Sequence, residues 1–223
     1  MFSKENKTYV TWFLLAVTVF VFILETIMGG SENVDVLVKM GAKTNNLVQT
    51  GEWWRLITPI FLHIGILHIF MNGFTLLYVG QFLEPLIGHW RFFVLYMLSG
   101  ITGNLASFAF GSSNALSAGA STSLFGMFAA FLALGLMYRE NRFMAEMGKS
   151  FLGLIVVNLL MDLTMSGIDI WGHLGGAVGG FFLAYALGLP GIKRPKMLYR
   201  ILALVIVVVI SYYMYVKGMT VYG

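Results

Sequence analysis

The chain has 223 residues, of which 58% are hydrophobic and only 11% are charged, with a formal net charge of +4. A soluble domain is about one quarter charged, so this composition excludes an ordinary soluble fold. The chain contains no cysteine, which excludes disulfides, thiol catalysis and cysteine metal sites.

Seven apolar runs approach the length of a transmembrane helix, which needs about 20 mostly apolar residues. They lie at roughly 9–28, 57–82, 91–111, 119–138, 150–166, 170–189 and 198–217. The first run exceeds the roughly 7–15 apolar residues of a signal peptide and is predicted to be an uncleaved span. The sequence therefore predicts an all-α, polytopic membrane protein with a single domain over residues 1–223, packed as a compact bundle through recurrent glycines.

The basic residues predict the orientation, because Lys and Arg favour short cytoplasmic loops. With the N-terminus in the cytoplasm, the cytoplasmic segments hold 10 of the 14 basic residues: Lys4, Lys7, Arg91, Arg139, Arg142, Lys149, Lys193, Arg194, Lys196 and Arg200. The C-terminus is then extracytoplasmic. This distribution explains the positive charge, so no nucleic-acid partner is predicted.

The longest polar segment, roughly 29–54, joins the first two runs on the outer side, and the sequence GEWWRL closes it. Tryptophan concentrates at membrane–water interfaces. Trp53, Trp54 and Arg55 are therefore predicted to anchor this segment at the bilayer surface. His89 lies in a loop on the opposite side and is predicted to be an ordinary surface residue.

Polar and ionisable side chains inside a membrane span are costly and are functional candidates. The second run contains FLHIGILHIFMNGF, with His63, His68 and Asn72, and the sixth begins IDIWGHLGGAVGGFF, with His173. His68 and Asn72 share a helical face, whereas His63 would lie about 140° round the helix from His68. HIGILH lacks the glutamate of an HExxH zinc site, so neither a metal nor another cofactor is predicted.

The fourth run opens with SAGASTSLFGM, a cluster of hydroxyls that begins at Ser121. On the predicted topology, Ser121, His173, His68 and Asn72 lie on the same side of the bilayer. An imidazole can remove the proton of a serine hydroxyl as the oxygen attacks. Side-chain donors and a backbone N–H at a helix start can stabilise an oxyanion, so this set favours acyl transfer.

Each of these residues also has a structural interpretation. A serine at a helix start is usually an N-cap, which would suffice for Ser121. Gly119 and Gly126 are typical of close helix packing, and Asn72 could join two helices by a hydrogen bond. His173 could be a hydrogen-bonded structural residue. The coincidence of the four polar groups at one depth favours the catalytic interpretation.

The chain resembles the rhomboid family of intramembrane serine proteases over nearly its whole length. The family's motifs follow in order: Trp54-Arg55; H-x-x-x-x-H-x-x-x-N as His63, His68 and Asn72; YMLSGITGNLAS; Gly119-Ala120-Ser121 followed by Leu124-Phe125-Gly126; and H-x-x-G-x-x-x-G as His173, Gly176 and Gly180. The resemblance implies a six-span catalytic core at about 9–190 and an extra span at about 198–217.

The resemblance further implies a Ser–His dyad. Ser121 would be the nucleophile and His173 the general base and then acid, with His68, Asn72 and the backbone N–H of Ser121 at the oxyanion. Phe125 would pack on the catalytic histidine. The supporting residues would be Gly119, Phe125, Gly176, Gly180, His63, Trp54 and Arg55, with the two span-six glycines bringing that span against span four.

The implied substrates are membrane proteins with a single span, cut in or near that span within the lipid bilayer. A bacterial plasma membrane is the expected location. Thr122 replaces a glycine that is common in the family, and its larger side chain is expected to narrow the site. A catalytically inactive rhomboid-like protein that binds transmembrane helices is therefore the main alternative, followed by a small transporter.

Three acidic residues lie near the predicted dyad in the sequence or on the same side of the bilayer. Asp162 and Asp169 lie in a short polar stretch before His173, so a Ser–His–Asp triad is conceivable. The family works with a dyad, and both aspartates are predicted to face solvent. Glu25, near the outer end of the first run, is predicted to be a structural hydrogen-bonding partner.

Overall fold

The computed structural model describes residues 7–165, 167–190 and 195–220. Within these ranges the chain forms nine α-helices, two 3-10 turns and an isolated β-bridge. The helices are α1 Tyr9–Ile27, α2 Val34–Met40, α3 Asn45–Gln49, α4 Ile66–Ile87, α5 His89–Phe110, α6 Ser121–Met137, α7 Arg142–Asp162, α8 Ile170–Leu187 and α9 Met197–Thr220. Lys4, Lys193 and Arg194 of the orientation argument, and Ser166 at the end of the fifth run, lie outside the described residues.

All seven apolar runs correspond to helices, so the prediction of an all-helical membrane fold is confirmed. Six helices are long and apolar enough to cross a membrane: α1, α4, α5, α7, α8 and α9. The seventh, α6, is also apolar but is shorter, with 17 residues. The short helices α2 and α3 lie in the polar segment between the first two runs.

Helix α6 forms the centre of the bundle and packs against α5, α7 and α8. Every residue from Thr122 to Gly135 except Leu132 is buried. This burial explains why α6 is apolar on all sides, as expected of a helix enclosed by others. Helix α9 covers α5 and α8 on the outside, and α1 packs on α4.

The backbones of α6 and α8 are in direct contact. A Cβ atom on Gly176 would overlap the carbonyl of Thr122, and one on Gly180 would overlap the backbone of Gly126. Small residues allow helices to approach this closely in a membrane, where packing rather than water drives association. The two glycines thus bring the sixth apolar run against the fourth, in the way expected from the sequence.

The helix of the second run begins at Ile66, so the predicted start at residue 57 is wrong. The preceding chain makes the 3-10 turns Trp53–Leu56 and Thr58–Phe61, and Leu62 is extended. Pro59 restricts the backbone, and Gly65 has φ +81°, a conformation that suits glycine and does not continue a helix. His63 therefore precedes α4, and the angle of about 140° between it and His68 does not apply.

Helix α7 begins at Arg142, whereas the fifth apolar run begins at residue 150. The side chain of Asn141 accepts a hydrogen bond from the N–H of Met144 at 3.2 Å and caps the helix. Two polar turns thus precede the apolar part of this helix. Hydropathy therefore identified the apolar part of α7 but missed its polar N-terminal turns.

Arg55 is buried, so its predicted place at the bilayer surface is wrong, although Trp54 beside it is exposed. Its guanidinium donates to the carbonyls of Val38 at 2.7 Å and Ala42 at 2.8 Å and pairs with Glu52 at 2.7 Å. A guanidinium has five donors, which suits it to bind several carbonyls at and just after a helix end. Arg55 therefore holds the end of α2 in place.

The prediction that His89 is an ordinary surface residue is wrong. Its ring is half exposed, but Nδ1 lies 2.5 Å from Oε1 of Glu84, which is fully buried. The other carboxylate oxygen accepts from the N–H of Thr11 at 2.7 Å and from its hydroxyl at 2.6 Å. Glu84 thus satisfies donors at the start of α1 and joins this helix to α4.

Lys43 is fully buried in a polar network. Its Nζ donates to Oγ of Ser107 at 2.7 Å and to Oδ1 of Asn45 at 3.1 Å. Oγ of Ser107 donates to Oδ2 of Asp169, which also accepts from Oγ of Ser117 at 2.7 Å. Lys43 and Ser117 exchange both backbone hydrogen bonds at 3.0 Å. The network joins the segment after α2 to α5, to the chain before α6 and to the start of α8.

The contact between α6 and α8 can be tested with Gly180→Ala. The added methyl overlaps the Gly126 backbone, so we expect the free energy of unfolding in detergent to fall by roughly 1–3 kcal/mol, the usual cost of overpacking. Gly153→Ala in α7 is the matched control, because a Cβ there meets no atom within 4 Å. Equal effects of the two substitutions would contradict the backbone contact.

The burial of Lys43 predicts a pH dependence of stability. Burial lowers the pKa of Lys43 from 10.5 to about 8, although the charge of Asp169 opposes this. Between these values the unfolded chain holds a proton that the folded chain has lost, so the free energy of unfolding rises with pH; below pH 8 this contribution is constant. We expect Lys43→Met to remove the rise and Lys39→Met, at an exposed position, to keep it. Parallel pH profiles of wild type and Lys43→Met would refute this assignment.

Candidate active site

Ser121 is the first residue of α6 and lines a cavity of about 440 Å³. Ala120, not Ser121, occupies the N-cap position, so the interpretation of Ser121 as a helix cap is wrong. The first N–H groups of a helix have no partner within it. Ser121 therefore presents both a hydroxyl and a backbone N–H at the start of a buried helix.

The cavity brings together all four residues predicted for catalysis. Ser121 comes from α6, His173 from α8, and His68 and Asn72 from one face of α4. Asp169 and Thr122 also line it, together with four polar residues that were not candidates from the sequence: Thr75, Asn104, Ser117 and Asn158. Asn104 and Asn158 lie within apolar runs, so the rule that drew attention to the histidines also applies to them.

Two neighbours determine the placement of the His173 ring. It stacks on Phe125 with ring centroids 4.2 Å apart and planes inclined by 13°. Its Nδ1 lies 2.7 Å from Oδ2 of Asp162. A carboxylate only accepts, so Nδ1 carries the proton and Nε2 of the neutral ring keeps its lone pair, as a general base requires.

Both aspartates are engaged with other protein groups, so the prediction that they face solvent is wrong. The side chain of Asp162, the last residue of α7, is 7% exposed. Asp169 caps α8 by accepting from the N–H of Gly172 at 2.9 Å and also joins the Lys43 network. The end of α7 and the start of α8 thus direct both carboxylates into the protein, which their polar sequence context did not indicate.

His68 and Asn72 present hydrogen-bond donors to the cavity. The N–H of Ile64 donates to Nδ1 of His68 at 3.3 Å. Nδ1 of the neutral ring is therefore the acceptor, and Nε2 carries the proton. Nδ2 of Asn72 is buried and has no hydrogen-bond partner in the described part of the chain. Unpaired buried donors are costly, and those at functional sites are available to a ligand.

Gly119 allows the chain before Ser121 to pass against His68. Its φ is +142°, and a Cβ there would lie 2.8 Å from Cε1 and 2.9 Å from Nε2 of His68. Its N–H donates to the carbonyl of Pro59 at 2.8 Å. Any larger residue would therefore be strained and would displace the imidazole.

His63 lies behind the cavity and supports its wall. The ring is fully buried and lies 5.0 Å from the ring of His68. The N–H of Ala120 donates to Nε2 of His63 over a long 3.4 Å, while the backbone N–H of His63 donates to Oε1 of Glu25 at 3.1 Å. His63 and Glu25 thus link α1 to the residue before Ser121, which is the structural role expected of Glu25.

Thr122 is accommodated by glycines on two neighbouring helices. A Cβ on Gly103 of α5 would lie 2.7 Å from Cβ of Thr122, and one on Gly172 of α8 would lie 3.1 Å from its Cγ2. The side chain fills this space and is 5% exposed. Thr122 also lines the cavity, so the expectation that it narrows the site stays a prediction, although most of the side chain packs between helices.

The remaining predicted residues act at a distance from the cavity. Trp54 and Arg55 belong to the segment before α4, and Gly176 and Gly180 form the contact between α8 and α6. In the described part of the chain, no three His, Cys, Asp or Glu side chains cluster closely enough to hold a metal ion.

The chain shares one domain with known proteins of similar sequence. The family model described as the Rhomboid domain matches residues 50–190, which is more than half of the chain. The chain is 42% identical over 212 residues to rhomboid protease GluP of Bacillus subtilis, a match that covers 94% of this chain and 41% of GluP. It therefore spans less than half the length of that relative.

Other relatives match from bacteria and eukaryotes. Identity is 36% over 138 residues to the putative rhomboid protease YdcA of Bacillus subtilis, covering 62% of this chain and 69% of YdcA. It is 34% over 175 residues to rhomboid-like protease 1 of Toxoplasma gondii, covering 77% of this chain and 59% of that protein. With its long apolar helices, this multi-pass membrane protein belongs to the rhomboid family.

Proposed function

We propose that this chain is an intramembrane serine endopeptidase that hydrolyses peptide bonds in or near transmembrane segments of membrane proteins. The convergence of Ser121, His173, His68 and Asn72 on one cavity carries this proposal. Membership of the rhomboid family supports it, since relatives bear the names rhomboid protease and rhomboid-type serine protease.

The first half of the reaction acylates the serine. Oγ of Ser121 attacks the carbonyl carbon of the scissile bond while its proton passes to Nε2 of His173. Negative charge develops on the carbonyl oxygen. Nε2–H of His68, Nδ2 of Asn72 and the backbone N–H of Ser121 are the donors that would stabilise this oxyanion.

The second half releases both products. His173 gives its proton from Nε2 to the leaving amine as the C–N bond breaks, which leaves an acyl ester on Ser121. A water molecule then attacks the ester while His173 accepts a proton from it. His173 returns this proton to Oγ of Ser121 as the ester C–O bond breaks, and the second product leaves with a carboxyl group. The dyad returns to its starting protonation.

The dimensions of α6 support a site that lies within the bilayer and is open to water. Its 17 residues span about 25 Å, less than the about 30 Å of a hydrocarbon core. We propose that Ser121 therefore lies below the outer membrane surface, where the polar cavity supplies water. A substrate helix has to unwind before its peptide bond is accessible, so residues that weaken helices favour cleavage.

We also propose how the helices divide between a catalytic core and an additional span. Helices α1 and α4–α8 form the six-span catalytic core, at about 9–190, and α9 is the extra span. The distribution of basic residues supports a cytoplasmic N-terminus and an extracytoplasmic C-terminus. A bacterial plasma membrane is the proposed location. The alternative, an inactive rhomboid-like protein that binds transmembrane helices, rests on Thr122, which lines the cavity. The cleavage assay below distinguishes the two functions.

The nucleophile and base are tested by substitution. We expect Ser121→Ala and His173→Ala to reduce cleavage of a reporter transmembrane substrate in liposomes to background, because each removes one partner of the proton transfer. Ser123→Ala is the matched control, since this serine lies on the same helix start but is buried outside the cavity. Cleavage that survives Ser121→Ala would overturn the assignment of the nucleophile.

The oxyanion donors should affect the rate of the chemical step. We expect Asn72→Ala or His68→Ala to lower kcat by about 10²–10³-fold, with a smaller change in KM, because the lost donor acts on charge that develops in the transition state. Thr75→Ala changes a side chain that lines the same cavity from the same helix and should retain most of kcat. A loss confined to KM would instead assign Asn72 and His68 to substrate binding.

A further inference from the structure

We infer that Asp162 is a positioning residue for His173, the general base of the proposed Ser–His dyad. This inference rests on the proposed proteolytic function. Oδ2 of Asp162 lies 2.7 Å from Nδ1 of His173, and the two side chains are 7% and 10% exposed, respectively. A short, largely buried hydrogen bond of this kind is stronger than one in water.

The two neighbours of the His173 ring constrain different properties. The stacked ring of Phe125 defines the plane of the imidazole. Stacking alone does not distinguish the two edges of the ring, so it does not determine which nitrogen faces the cavity. The hydrogen bond from Nδ1 to Asp162 makes this distinction and keeps the proton on Nδ1. Nε2 is left unprotonated for Ser121.

Asp162 is also an unfavourable residue for the local helix. It is the last residue of α7, where the carbonyl end of the helix carries partial negative charge and favours a cation. Sequences break such local rules mainly where function requires it. The cation that compensates this carboxylate is the imidazolium of His173, formed when His173 accepts a proton.

The neighbouring aspartate cannot take this role. Oδ2 of Asp169 accepts from Ser107 and Ser117, and Oδ1 accepts from the N–H of Gly172. Both oxygens of Asp169 are thus engaged in capping α8 and in the Lys43 network. Asp162 is the aspartate that contacts the imidazole.

The proton balance of the reaction is unchanged by this contact. The proton of Ser121 Oγ moves to Nε2 as the Oγ–C bond forms, while the proton on Nδ1 stays in its hydrogen bond. Asp162 remains ionised and stabilises the imidazolium until Nε2 gives its proton to the leaving amine. The carboxylate therefore acts through His173 and does not touch the substrate.

The test compares Asp162→Asn and Asp162→Glu with wild type in detergent and in liposomes. Because the carboxylate acts in the chemical step, we expect Asp162→Asn to lower kcat on the order of 10²-fold and to change KM little. Asp162→Glu retains an acceptor and should recover part of this loss. Asp35→Asn, at an exposed position in α2, is the matched control for loss of one negative charge and should be unchanged.

A second readout follows the proton on the ring and does not depend on activity. In protein labelled with ¹⁵N-histidine, we expect a low-field Nδ1 proton resonance that disappears in His173→Ala and is lost or shifted upfield in Asp162→Asn. Thermal unfolding of each variant separates this local effect from loss of the fold. A resonance unaffected by Asp162→Asn would overturn the inference.

The two readouts distinguish failure of the inference from failure of the proposed function. Wild-type cleavage with an unchanged kcat in Asp162→Asn refutes the positioning role and leaves the protease intact. If wild type cleaves no transmembrane substrate, the proposed function fails, and the ring resonance alone decides whether Asp162 holds His173. If Asp162→Asn lowers both stability and kcat, and Asp162→Glu restores neither in part, the role of Asp162 is to stabilise the fold, and the positioning role is refuted.

Discussion

The backbone contact between α6 and α8 is the constraint on which the rest of the molecule depends. Gly176 meets the carbonyl of Thr122, and Gly180 meets the backbone of Gly126, one turn apart in each helix. With larger residues at these positions, the helices would separate and move His173 away from the start of α6. Ser121 directly precedes Thr122, and His173 lies one turn before Gly176. This contact therefore controls the distance between the proposed nucleophile and its base.

Buried polar groups then hold the irregular chain around the cavity. Non-helical backbone at membrane depth needs internal partners, since unsatisfied groups are costly where water is excluded. Glu25 and the ring of His63 provide them near the segment before α4, and Arg55 does so at the end of α2. Lys43 joins the first polar segment to the start of α8. Glu25, Arg55 and Lys43 therefore stabilise the backbone around the cavity and take no part in the proposed chemistry.

Hydropathy predicted that seven helices exist, but it placed some of their ends wrongly. The second run appeared to start at residue 57 because the segment is apolar, although Pro59 and Gly65 prevent a helix there. Helix α7 starts before its apolar run because Asn141 caps two polar turns that lipid preference cannot detect. The candidate site was predictable to the extent that its polar residues lie in apolar runs. This criterion selected His68, Asn72 and His173 and passed over Asn104 and Asn158, which also line the cavity.

By itself, the sequence determined the class of protein, because long apolar runs with few charges have one stable environment, the bilayer. It also supplied the candidate nucleophile, base and donors, since ionisable groups in such runs are too costly to retain without a role. Only the tertiary structure decided which partners these groups have. Asp162 and Asp169 have the same side chain and lie in the same polar stretch, yet one contacts His173 and the other caps α8. That difference depends on where the turn after α7 directs each carboxylate, a property of the packed helices that no local pattern of residues encodes.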